Sequence, residues 1–114
     1  MKDLHTLDLF EINHGIMADR KRIEDNMAVL WKLAERKANT ELEYRKALAM
    51  KVEELRIEKV PATLIKDLAE GEIAEKRRDW ELACGQYQAC RASLEALQTS
   101  INALMSILKH FEKI

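Results

Sequence analysis

The chain has 114 residues and a mass of 13.2 kDa, enough for a single domain. Apolar residues make up 47% and charged residues 34%, with three Gly and one Pro, a composition that excludes a sheet protein or a disordered chain and points to long exposed helices. Lys and Arg (19) balance Asp and Glu (20), so the basic surplus behind general nucleic-acid or anionic-membrane binding is lacking.

The N-terminus alternates acidic and apolar residues and has no continuous apolar stretch, so no secretory signal is expected. No membrane span is expected either. The longest charge-free stretch of the second half, Ala96 to Leu108, is interrupted by Gln98, Asn102 and two serines. Cys84 and Cys90 lie six positions apart in one predicted helix, too far to bridge there. They read as reduced packing residues of a cytoplasmic protein.

A first long helix is predicted over about 4–59. Asn13-His14-Gly15 has the chemistry of a helix C-cap. Leu9, Ile12, Ile16 and Ile23 nevertheless keep a helical spacing across it, so a cap and a continuous helix both stand as readings. Pro61 disfavours helical geometry at Val60 and ends the helix. The connection spans 60–71 and contains a short helix over 62–69, with Pro61 at its first position and Gly71 closing it. A second long helix follows over about 72–113.

That second helix carries the clearest pattern. Trp80, Ala83, Tyr87, Cys90, Leu94, Leu97, Ile101, Leu104, Leu108 and Phe111 alternate steps of three and four, the heptad signature of a helix–helix seam. The first helix offers a partner seam at Ile16, Ile23, Met27, Leu30, Ala34, Tyr44, Leu48, Val52 and Leu55, with Lys37 and Glu41 as polar register-setters. The expected fold is all-α, a long antiparallel helical hairpin with a short connecting helix. If the chain turns near 60–71, Ile23 pairs with Leu104, Met27 with Ile101, Leu30 with Leu97, Ala34 with Leu94, Tyr44 with Ala83 and Leu48 with Trp80.

A two-helix hairpin buries only one stripe of each helix and is marginal alone. Ala89, Ala96 and Ala103 recur every seven residues away from the seam, flanked by Ala92, Ser93, Ser100 and Ser106. This strip is the predicted self-association surface, closing a homodimer as a four-helix bundle. Trp31, beside the first seam, is a further candidate contact. In the connection, Leu64, Ile65 and Leu68 share one helical face beside Lys66. These four either cap the hairpin core or meet a protein partner.

Chemistry is sparse. The three glycines are isolated, both cysteines look like core, and no nucleophile-and-base arrangement is visible. The histidines, His5, His14 and His110, lack a spacing that sets two ligands on one helix face. No catalytic residue, metal or cofactor is expected. Basic clusters at Arg20-Lys21-Arg22 and Lys76-Arg77-Arg78 have acidic neighbours, among them Asp19, Glu24, Glu75 and Asp79. They read as a solvated ion-paired face; a nucleic-acid groove built from them is the alternative.

The stretch Val60-Pro61-Ala62-Thr63-Leu64-Ile65-Lys66-Asp67-Leu68-Ala69-Glu70-Gly71, followed by Ile73-Ala74-Glu75, resembles a segment of small helical proteins encoded by bacterial temperate phages and prophages. Tyr87, Ala92, Leu94-Glu95-Ala96 and Ser106-Ile107-Leu108 are compatible with the same group. The likeness covers roughly the second half. It implies a phage or prophage origin and a place in the host cytoplasm, but no activity. The reading as a whole is a non-enzymatic oligomeric interaction protein that binds an unidentified protein; a nucleic-acid accessory role is the alternative.

Overall fold

The computed structural model describes residues 9–112. His5 and the predicted helical residues 4–8 and 113 lie outside them. Among the described residues there are three helices: α1 (Leu9–Ile57), α2 (Ala62–Glu72) and α3 (Ala74–Glu112). α1 and α3 pack against each other, so the all-α hairpin holds. The helix runs through Asn13-His14-Gly15 without a break, which decides for continuity at that joint. A mid-helix glycine costs only about 1 kcal/mol, less than the turns on either side gain by staying helical.

α1 ends in a Schellman cap. The Val60 N–H donates to the Leu55 carbonyl at 3.1 Å and the Lys59 N–H to that of Arg56 at 3.0 Å. Lys59 takes the left-handed conformation this cap requires, φ 62°. Pro61 is the N-cap of α2, not its first helical residue, and its carbonyl accepts from the Leu64 N–H at 2.9 Å. The connection is therefore residues 58–61, between the ends of α1 and α2. Gly71 does not close α2, which continues to Glu72. The break falls at Ile73 (φ −107°, ψ 21°), and the bonds from Ile73 N–H to Ala69 and from Lys76 N–H to Ile73 carry the ladder past it.

The contacts divide the chain into two units. In the turn unit, Trp31–Gln88, α2 lies on the last turns of α1. Leu55 (5% exposed), Ile65 (9%) and Ala69 (0%) form a cluster covered by Leu48, Val52 and Val60. Further along the same unit Tyr44 and Ala83 are buried, and the Tyr44 and Trp80 rings stack with centroids 5.3 Å apart. The expected pairing of Leu48 with Trp80 thus moves by one turn: Tyr44 meets Trp80, and Leu48 packs in the α2 cluster instead.

In the terminal unit, Met1–Leu30 with Ala89–Ile114, the buried side chains among the described residues are Ile12, Ile16, Asp19 and Ile101. Here too the register is offset. A Cβ on Gly15 would stand 3.2 Å from Leu104 Cδ1, so Leu104 lies against Gly15, not Ile23. Met27, expected opposite Ile101, is 39% exposed. The physical cause is the position of the fold-back. Turning at 58–61 rather than midway through 60–71 moves the partners of Trp80 and Leu104 toward the N-terminus of α1, by about one turn and about two. The α3 seam itself is as expected: all ten residues from Trp80 to Phe111 in the three-four pattern are buried or half-buried.

Candidate interaction surfaces

Along α2 the side chains that sequence grouped together separate. Ile65 and Ala69 point into the core, whereas Leu64 (51%) and Leu68 (45%) are exposed with Lys66. A step of one residue turns the helix by about 100°, enough to send Leu64 outward when Ile65 faces Leu55. Ile65 therefore belongs to the core, and the candidate partner surface of this helix reduces to Leu64, Lys66 and Leu68. Ile57, on the last turn of α1, is 74% exposed.

Trp31 is 71% exposed. Ala89, Ala96 and Ala103 are all exposed, so the small-residue strip lies on the solvent side of α3. Ser100, counted as a flank of that strip, is committed elsewhere: its hydroxyl donates to the Asp19 carboxylate at 2.6 Å. Asp19 is accordingly a seam residue, not a neutralising neighbour of Arg20-Lys21-Arg22. Its spacing carried the signal, since Ile12, Ile16, Asp19 and Ile23 follow steps of four, three and four. Nearby the Cys90 thiol donates to the Asn26 carbonyl at 3.8 Å. Both cysteines are free and half-buried.

The basic clusters differ in their partners. Lys76 Nζ lies 3.7 Å from Glu43. Arg77 Nε donates to Glu81 at 3.0 Å, and its Nη1 is 4.0 Å from Glu70. The Glu81 hydrogen bond, followed by the proximity of Tyr44, raises the Arg77 pKa above its ordinary value. Two of these three cations are thus engaged by carboxylates, which subtracts from any phosphate-binding role. Arg20, Lys21 and Arg22 are all exposed, but consecutive helical residues fan around the axis at about 100° each, so they do not share one face.

Polar groups inside the seam are held by rings. Lys37 Nζ sits 4.9 Å from the Tyr87 ring centroid, a cation–π contact that lets a charged residue occupy a seam position. Arg45 lies 6.0 Å from the Trp80 ring while donating to Glu41 at 3.0 Å. The Trp80 Nε1 is buried without a hydrogen-bond partner among the described residues, a group that costs about 1–3 kcal/mol.

His14 stacks on Phe10 with centroids 6.1 Å apart, and His110 meets the edge of Phe111. Among the described residues no three His, Cys, Asp or Glu side chains gather as a metal ligand set. No helix of the described residues is long and apolar enough to cross a membrane. Comparison with protein families, with curated proteins and with solved structures finds nothing that matches this chain.

Proposed function

We propose that the chain is a non-enzymatic helical interaction protein that self-associates and binds another protein. The observation that carries this reading is the amount of large apolar surface left in water. Phe10 (71%), Met17 (70%), Trp31 (71%), Met50 (66%) and Ile57 (74%) are exposed, while among the described residues only eight apolar side chains are buried: Ile12, Ile16, Tyr44, Leu55, Ile65, Ala69, Ala83 and Ile101. Scattered apolar side chains are ordinary on a protein surface, but this many on so small a core favours covered faces. Phage or prophage origin rests on the resemblance of the Val60–Gly71 segment. A location in the host cytoplasm is part of the same proposal, supported by that resemblance and by the free cysteines.

Two experiments test the two halves of the proposal. Light scattering over the micromolar range should find a mass above that of one chain; a monomer throughout removes self-association. A pull-down from bacterial lysate with the wild type and with the double variant L64A/L68A tests partner binding at the α2 surface. The variant should keep its melting temperature within a degree or two and lose the captured protein. Capture that survives L64A/L68A unchanged removes α2 as the binding surface.

A further inference from the structure

We infer that two copies of the chain pair through an exposed stripe on α1, antiparallel, with Arg20 of each copy against Glu24 of the other. The inference rests on the self-association proposed above and specifies its surface. Phe10, Asn13, Met17, Arg20, Glu24 and Met27 follow the three-four spacing of a helix–helix seam, and Trp31 continues it by four residues. None of these belongs to the buried seam: all are exposed, Phe10, Met17 and Trp31 by about seven-tenths. α1 therefore carries two seams. One is occupied by α3, and the other lies exposed beside it.

The occupant is a second copy because the stripe is complementary to itself. In a two-fold arrangement the same patch meets its own reverse. Centred on Arg22, an antiparallel α1–α1 contact sets Arg20 opposite the second copy's Glu24, Glu24 opposite its Arg20, and Met17 opposite its Met27. Two opposite-charge contacts then lie at the centre, with methionines on either side to fill an irregular contact. Within the chain these charges are unused. Among the described residues neither Arg20 nor Glu24 has an ion-pair partner. Arg preceding Glu by four is also the weaker order for a pair within one helix. The two side chains border two hollows at once, one shared with Met17 and Lys21, the other with Ile23, Ile101 and Met105. They stand between these two hollows, a relief against which a neighbouring helix can pack. The α3 strip of Ala89, Ala96 and Ala103 has no charged pair of this kind to orient a partner.

Charge reversal tests the pairing. In sedimentation velocity the wild type should be a dimer, and R20E and E24R should each weaken it on the order of tenfold or more by setting like charges together. The double variant R20E/E24R should restore the dimer, and an equimolar mixture of the two single variants should form a mixed dimer. Far-ultraviolet circular dichroism checks that helix content is unchanged. As a second measurement, chains carrying M17C and chains carrying M27C, with Cys84 and Cys90 replaced by Ala, should cross-link to each other on oxidation. A wild type that is monomeric throughout overturns both self-association and this interface. A dimer indifferent to the single reversals, or not rescued by the double one, overturns the interface and leaves self-association standing. Failure of the M17C and M27C chains to cross-link while they remain dimeric overturns the antiparallel register.

Discussion

The turn unit and the terminal unit close the same kind of seam by opposite means. In the turn unit the seam is sealed by apolar contact: Leu55, Ile65 and Ala69 interlock, Leu48, Val52 and Val60 cover them, and the Tyr44 and Trp80 rings stack beyond. In the terminal unit three isoleucines share the buried positions with an aspartate. Its cross-helix links are polar, from Ser100 to Asp19 and from Cys90 to the Asn26 carbonyl. The comparison teaches that a heptad pattern does not imply a uniform core. Apolar contacts give stability in proportion to area and tolerate slippage by a turn. A hydrogen bond such as Ser100–Asp19 contributes less but is satisfied in one register only.

The largest test of that contrast is Ile65→Ala in the turn unit. It should destabilise the protein by about 2–5 kcal/mol, the usual range for emptying a packed aliphatic site, whereas Leu64→Ala next to it should stay within about 0.5 kcal/mol. Chemical denaturation reads both. Equal effects at the two positions would mean that α2 does not sit on Leu55 as described.

Next in size is the polar link. Ser100→Ala leaves the buried Asp19 carboxylate without its donor and should cost about 1.5–3 kcal/mol, the scale of a hydrogen bond to a charged group. Asp19→Leu in that background should recover part of the loss, because an apolar side chain at a buried position needs no partner. A Ser100→Ala protein as stable as wild type would show the terminal seam to be held by its isoleucines alone.

A glycine in each unit gives a smaller, signed comparison. Nothing lies within 4 Å of a Cβ added at Gly85, whereas one at Gly15 meets Leu104 at 3.2 Å. Gly85→Ala should therefore stabilise by close to the full helix-propensity difference, about 0.8–1 kcal/mol. Gly15→Ala should gain less or lose, as Leu104 must give way. Melting temperatures of the two variants decide, and an equal gain would show that α1 and α3 do not approach closely at Gly15.

The smallest effect is expected at the cap. Lys59 occupies a left-handed position that costs an L-residue about 1–2 kcal/mol, while glycine adds roughly 0.5–1 kcal/mol of unfolded-state entropy. Lys59→Gly should raise stability by about 0.5 kcal/mol, visible as a small rise in denaturation midpoint. A clear loss would mean that the Lys59 side chain makes a contact worth more than the strain.

Residue order alone determines a great deal here. The α3 seam was legible to the last residue, because ten apolar positions in unbroken three-four alternation have one reading. The helix break beside Pro61 was legible because a ring closed on the backbone nitrogen leaves no alternative. On α1 the buried Asp19 read as an acidic neighbour of Arg20-Lys21-Arg22, because its charge suggests the surface while its spacing places it in the seam. Tertiary structure decided the rest: the fold-back at 58–61, the offset of about one turn at Trp80 and about two at Leu104, and the side of α2 on which Ile65 lies. The physical reason is degeneracy. Periodicity states which side chains share a face of one helix, but sliding two heptad seams past each other by a turn leaves apolar residues opposite apolar residues nearly everywhere. What breaks the tie is non-local: an αL residue that stops α1 early, a hydroxyl that reaches one carboxylate, and a missing Cβ at Gly15 that admits Leu104.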